Sequence, residues 1–151
     1  MSRWTPGQAE IELLLSKGDF QRVTGAQANG EHLLDRAERT LATASNVAGE
    51  DADSAFVLAY DAARYSGAAL LAQQGLRATT SGGHYAVEVA LRAQFGTGFR
   101  PFGALRRRRH ELEYPTGPGE TASPEEAHDA LDDAGRLLDA ARRLLPSLDL
   151  F

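Results

Sequence analysis

Residues 55–77 read Ala-Phe-Val-Leu-Ala-Tyr-Asp-Ala-Ala-Arg-Tyr-Ser-Gly-Ala-Ala-Leu-Leu-Ala-Gln-Gln-Gly-Leu-Arg, and they belong to the longest helical segment that the sequence predicts. Residues at helical spacing within it form one mainly apolar stripe, which consists of Phe56, Tyr60, Ala63, Gly67 and Leu70. Beside that stripe runs a strip of small residues, which consists of Ala59, Ala62, Ser66 and Ala69. Because small side chains at this spacing allow close helix–helix approach, the stretch predicts a well-packed helix over about 52–76, about 36 Å long.

Other helices are expected on both sides of this one. Asp53 or Ser54 is expected to cap the long helix, and Gly75 to end it. A further short amphipathic helix is predicted over 8–17, and longer helices over about 28–47 (capped by Asn29), 84–95 and 123–145. Between the last two, a glycine-rich break over 96–103 leads into an arginine-rich helix.

No segment alternates apolar and polar residues over the length of a strand. The sequence therefore predicts an all-α protein, an up-and-down bundle of about five helices over about 28–145. With 151 residues and 42% apolar composition, the chain is expected to form a single domain over 1–151, including the short helix 8–17.

Composition excludes several classes of function. The chain has no cysteine, so disulfides, thiolate metal sites and cysteine nucleophiles are excluded. His32 and His128 have no further ligand at metal-binding spacing, and Gly82-Gly83 lacks the context of a nucleotide-binding loop, so neither a metal nor a cofactor is expected. No apolar run approaches a membrane span and no signal core is visible, which predicts a cytoplasmic protein without a membrane partner. A net charge of -5 restricts any nucleic-acid contact to a local basic site.

Such a basic site is offered by residues 105–115, Leu-Arg-Arg-Arg-Arg-His-Glu-Leu-Glu-Tyr-Pro. On a helix, Arg109 falls inside the apolar stripe of Leu105 and Leu112, whereas residues 106–108 point to the flanks and the opposite side. A buried arginine is expensive unless it is paired, so Arg109 is expected to meet Glu113 or Asp61, or to face a cavity that binds an anion.

Three features together resemble the HEPN domain family. Segment 55–77 looks like the long second core helix of these domains, and Gly82-Gly83-His84 resembles their entry into the next helix. Residues 109–115, Arg-His-Glu-Leu-Glu-Tyr-Pro, are similar to the family signature, in which an arginine and a polar residue, usually asparagine, precede a histidine by four to six positions. In one bacterial branch the block ends in Glu-Tyr, as it does in this chain.

The resemblance implies a homodimer whose signature blocks face one another and form a metal-independent RNA endonuclease site. In active members the arginine binds the scissile phosphate and the histidine moves the proton of the ribose 2′-hydroxyl. Many members are paired with a nucleotidyltransferase as toxin and antitoxin. This chain departs from the pattern, since Tyr114 stands at the final histidine and His110 at the usual asparagine. With a pKa near 10, a tyrosine is a poor general base at pH 7.

Two functions follow from these observations. The first is a HEPN-like protein of a toxin–antitoxin, stress or defence system that binds or cleaves RNA through an arginine-centred site at a dimer cleft. Its expected catalytic residues are Arg109, His110 and Tyr114, and its expected substrate-binding residues are Arg106, Arg108 and Glu113. The alternative is a non-catalytic interaction or dimerisation module in which the arginine block is a structural ion-pair cluster. For residues 106–108 taken by themselves, a largely solvated face is expected in preference to a nucleic-acid contact, because Glu111 and Glu113 lie alongside them.

Overall fold

A computed structural model describes residues 4–151, and within them it contains six α-helices and one small sheet. The helices are α1 (Gln8–Ser16), α2 (Glu31–Val47), α3 (Ala52–Gln73), α4 (Gly83–Phe95), α5 (Arg100–Glu113) and α6 (Pro124–Leu144). Two three-residue strands, β1 (Phe20–Arg22) and β2 (Leu76–Ala78), pair antiparallel. The predicted all-α bundle is confirmed, with five helices after α1. None of the helices in the described range is long and apolar enough to cross a membrane.

Helix α3 lies at the centre of the bundle and packs along both α2 and α6, while α4 and α5 contact its remaining surface. Both predicted strips are buried: Phe56 and Tyr60 on one side, Ala59 and Ala62 on the other. The hydroxyl of Ser66 is also buried, and it donates a hydrogen bond to the Ala62 carbonyl at 2.9 Å. Small side chains therefore let four helices approach α3, and the buried hydroxyl of Ser66 is satisfied within the helix itself.

A close backbone approach occurs where α2 begins against α3. A Cβ added to Gly30 would lie 2.1 Å from the carbonyl oxygen of Ala69, so only glycine fits there. The Gly30 N–H donates to the side-chain oxygen of Gln73 at 3.0 Å, which ties the start of α2 to the end of α3. The N-cap of α2 is Gly30 and not the predicted Asn29, which precedes it and whose side chain accepts from the N–H of Glu31 at 2.9 Å.

Several predicted boundaries are confirmed. Ser123 caps α6 by accepting from the N–H of Glu126 at 3.0 Å, and Pro124 follows in the first turn. At the end of α5, Tyr114 has φ -125° and ψ 63°, outside the helical region, as expected for a residue before Pro115.

Other boundaries were predicted wrongly. The cap of α3 is Asp51, whose extended backbone lets its carboxylate accept from the N–H of Ser54 at 3.1 Å. Helix α5 begins at Arg100, inside the expected break 96–103, because Pro101 is well suited to a first helical turn. Strands β1 and β2 were missed since three residues are too short to show alternation.

We expect Gly30→Ala to lower the free energy of unfolding by about 1–3 kcal/mol, because the new methyl group would collide with a backbone carbonyl that cannot rotate away. Gly49→Ala is the matched control, since no heavy atom lies within 4 Å of a Cβ at that position. Urea unfolding followed by circular dichroism measures both variants. Equal midpoints for the two would contradict the close approach of α2 and α3.

Candidate functional site

The arginine helix α5 is held in place by one buried carboxylate on α4. Glu88 is 2% exposed, and its Oε1 accepts a hydrogen bond from Nε of Arg106 at 2.7 Å. Its Oε2 lies 3.6 Å from Nη1 of Arg107 and 3.6 Å from Nη1 of Arg92. A Cβ on Gly103 would come within 2.4 Å of the same oxygen, so a glycine in α5 is what admits the carboxylate.

Arg108 is held on the other flank of α5 by helix α6. Its Nε lies 2.7 Å from Oε2 of Glu126, and its Nη1 lies 2.8 Å from Oε2 of Glu111. The expectation that residues 106–108 are largely solvated is therefore wrong for two of the three. The side chains of Arg106 and Arg108 are 24% and 27% exposed, whereas that of Arg107 is 61% exposed.

Arg109 faces the protein, as its position in the apolar stripe predicts. Its side chain is 22% exposed, and its Nη2 lies 2.5 Å from Oε2 of Glu113. Its guanidinium carbon stands 5.6 Å from the centre of the Tyr60 ring, within range of a cation–π contact. The other expected partner, Asp61, is instead 3.6 Å from Arg64. The Nε of Arg109 is buried and has no hydrogen-bond partner within residues 4–151.

Beneath Arg109, α3 and α4 are joined by a polar pair. The fully buried Tyr60 places its hydroxyl 2.7 Å from Nδ1 of His84. Burial raises the pKa of Tyr60 well above its usual value, against the opposing influence of Arg64 and Arg109. Burial, with the same two arginines, lowers the pKa of His84. Both side chains are therefore neutral near pH 7.

An open pocket of about 300 Å³ lies over this pair. It is lined by Gly82, His84, Tyr85, Arg106, Arg109 and His110. The polar side chains of this lining are thus two guanidiniums, two imidazoles and a phenol, and it contains no carboxylate from the described residues. We call this site the Arg109 pocket.

The structure brings together only part of the predicted site. Arg106, Arg109 and His110 line the Arg109 pocket, and Glu113 is next to it through its pair with Arg109. Tyr114 is 63% exposed and its ring contacts that of His110 in a tilted arrangement, with ring centres 4.9 Å apart.

Arg108 is not part of the pocket lining and is engaged by Glu126. Sequence reasoning missed Tyr60 and His84 as site residues. The available signals were a tyrosine in the central stripe and a histidine at the start of the next helix, but only the folded chain shows that their side chains meet.

Residues 31–144 match the family model of the HEPN domain. This chain belongs to the HEPN domain family. Comparisons with curated proteins and with solved structures gave no significant match. The matched range begins at the first residue of α2 and ends at the last residue of α6, so this HEPN domain includes the whole Arg109 pocket, while α1 and β1 precede it.

We expect Glu88→Gln to lower the free energy of unfolding by about 1–3 kcal/mol, because it removes a charge-assisted hydrogen bond to Arg106 at a buried position. Glu38→Gln is the matched control. Glu38 also lies 2.7 Å from an arginine, Arg142, but its side chain is 67% exposed, so its loss should cost less than about 1 kcal/mol. Urea unfolding compares the two, and an equal effect would show that Glu88 does not hold α5.

A pH dependence follows from His84, because burial and the nearby Arg64 and Arg109 hold its folded-state pKa below the ordinary histidine value of 6.5. The His84 imidazole binds a proton more readily in the unfolded chain than in the folded one. Its contribution to stability is therefore present above about pH 6.5 and is lost as the pH falls toward the folded-state pKa. We expect an NMR titration of the His84 ring to show a midpoint below 6.5.

In His84→Asn the fall of the unfolding midpoint between about pH 7.5 and about 5.5 should be smaller than in the wild type. An unchanged pH dependence would contradict the role assigned to this imidazole.

Proposed function

We propose that this HEPN domain binds single-stranded RNA and takes a backbone phosphate into the Arg109 pocket. The proposal is supported mainly by the lining of that pocket. The lining contains two arginines and two histidines, and it contains no carboxylate of the described residues. A planar guanidinium suits a phosphate better than an ammonium does, because it offers parallel N–H donors to two oxygens.

The state of Arg109 supports this assignment. Its Nε is buried without a hydrogen-bond partner among residues 4–151, so an incoming anion would satisfy a donor that the protein leaves unpaired. The Glu113 carboxylate is paired with Nη2 of Arg109. A bound phosphate must therefore either displace this carboxylate in part or share the Arg109 guanidinium with it. Glu113 therefore acts in this proposal as a competitor that sets the affinity of the pocket.

Exposed aromatic rings next to the pocket favour a flexible single strand over a duplex. Tyr85 and Tyr114 are each 63% exposed, and Tyr85 lines the pocket itself. Unstacked bases can lie on such rings while the phosphate between them meets Arg109.

Metal-independent cleavage, where it occurs, requires an acceptor for the proton of the ribose 2′-hydroxyl. Within the proposal this role falls to His110, which lines the pocket and is exposed, since His84 is engaged by Tyr60. Tyr114, in contact with the His110 ring, is assigned to positioning that imidazole.

Two further parts of the proposal rest on family membership alone. One is a homodimer in which two Arg109 pockets face each other across a cleft. The other is a role in a toxin–antitoxin, stress or defence system with a nucleotidyltransferase-type partner.

The test compares RNA binding by the wild type, Arg109→Ala and the charge-matched control Arg136→Ala, whose side chain is 74% exposed on α6. We expect Arg109→Ala to weaken binding of labelled single-stranded RNA by about tenfold or more, measured by fluorescence anisotropy without metal. Arg136→Ala should bind like the wild type. A wild type that neither binds nor cleaves single-stranded RNA or tRNA overturns the proposal, and so does an equal loss in both variants.

The alternative, a non-catalytic interaction module, is favoured by a different observation. Each of the four consecutive arginines has a carboxylate oxygen within 3.6 Å. In this interpretation Glu113→Gln only lowers the free energy of unfolding, by about 1–2 kcal/mol for a partly exposed pair. In the RNA proposal Glu113→Gln also strengthens RNA binding, since the competing carboxylate is gone. Measuring both quantities on this variant separates the two functions.

A further inference from the structure

We propose that a second cavity, distinct from the Arg109 pocket, binds a small amphipathic carboxylate, with its apolar body inside and its headgroup at Arg77. The cavity has a volume of about 560 Å³ and lies among α2, α3, β2 and the start of α4. This volume is within the usual range of small-molecule sites, about 300–1,000 Å³. We call it the Arg77 cavity.

The inner wall of the Arg77 cavity is apolar. Leu71, Leu76 and Val87, which come from α3, β2 and α4, line it and are 2%, 1% and 7% exposed. Ala68 and Ala72 add small side chains to the same wall, which leaves the space open. Burying the apolar body of a ligand against this wall removes apolar surface from water and so favours binding. A nucleic-acid phosphate would leave the same surface exposed to water.

The rim of the cavity carries an arginine whose charge is not neutralised. Arg77 is exposed, and its Nη1 donates to the side-chain oxygen of Gln27 at 3.0 Å. The side-chain oxygen of Gln21, with its amide turned toward the guanidinium, accepts from Nε and Nη2 of Arg77 at 3.1 and 2.9 Å. These two neutral amides orient the guanidinium but leave its charge and two of its five N–H donors available. No carboxylate of residues 4–151 forms an ion pair with it.

The lining has one other charged side chain, Arg64, which is also positive and lies 3.6 Å from Asp61, a residue outside the lining. Arg64 lines the cavity, and its Nε is buried without a hydrogen-bond partner among the described residues. Its guanidinium carbon and that of Arg36 each lie 4.5 Å from the centre of the Tyr65 ring, so this ring is a fixed part of the wall. The exposed His32 completes the rim, and the described lining contains no carboxylate. This charge pattern selects an anionic headgroup over a neutral or cationic one.

An alkyl acid and an aromatic acid share this chemistry, so both serve as probes. Decanoate and 2-naphthoate are titrated into the full chain, with 1-decanol and decylamine as matched neutral and cationic compounds, and the response is followed by two-dimensional NMR. We expect at least one acid to bind and to shift the amide signals of Leu71, Arg77 and His84, which line the cavity. 1-Decanol should bind at least about tenfold more weakly than decanoate, and decylamine should not compete.

Two variants test the two halves of the site. Arg77→Gln should weaken binding of the acid by about tenfold or more, whereas Arg143→Gln, at an exposed arginine of α6 outside the cavity, should not. Ala68→Phe should abolish binding by filling the space, and Ala68 is only partly buried, so the larger ring can be accommodated. If Ala68→Phe does not fold, the affinity of Arg77→Gln for the acid decides the proposal.

Three results overturn the proposal: no binding of either acid, equal affinity for decanoate and 1-decanol, or an unchanged affinity in Arg77→Gln. His84 lines both the Arg77 cavity and the Arg109 pocket. The proposal nevertheless does not depend on RNA binding, because Arg109 is not part of the cavity lining. Acid binding that persists in Arg109→Ala would show that the Arg77 cavity binds its ligand independently of the Arg109 pocket.

Discussion

The position of the arginine helix depends on a carboxylate that the fold removes from water. Glu88 is almost fully buried, and a buried charge is tolerated only when it is paired and hydrogen-bonded. Arg106 supplies the hydrogen bond, and two other guanidiniums lie 3.6 Å away. This requirement sets how α5 is rotated against α4, and that rotation directs Arg109 toward Tyr60 on the central helix.

The central helix connects this arrangement to both cavities. Tyr60 lies under Arg109 and contacts His84, while Tyr65, just over one turn further along α3, is part of the Arg77 cavity. Helix α3 can contribute residues to both cavities because its small side chains let the neighbouring helices approach it closely. His84, at the start of α4, lines both the Arg77 cavity and the Arg109 pocket.

Predictions from the sequence succeeded where the cause was local. The inward direction of Arg109 and its pair with Glu113 follow from helical geometry, since the two are four residues apart. The capping of α6 by Ser123 and the end of α5 before Pro115 are local in the same way. The prediction for Arg106 and Arg108 failed because their main partners, on α4 and α6, are each 18 residues away and reach them only through tertiary packing.

Residue spacing alone was enough to predict the helical class, the buried strips of the central helix and the inward direction of Arg109. These are properties of residue spacing on one helix, which 3.6-residue periodicity sets without reference to any neighbour. The pairing of each arginine with its carboxylate, the contact between Tyr60 and His84 and the positions of the two cavities became visible only in the folded chain. Those features depend on how separate helices pack, because contacts and empty space between elements are set by their relative positions and not by any one of them.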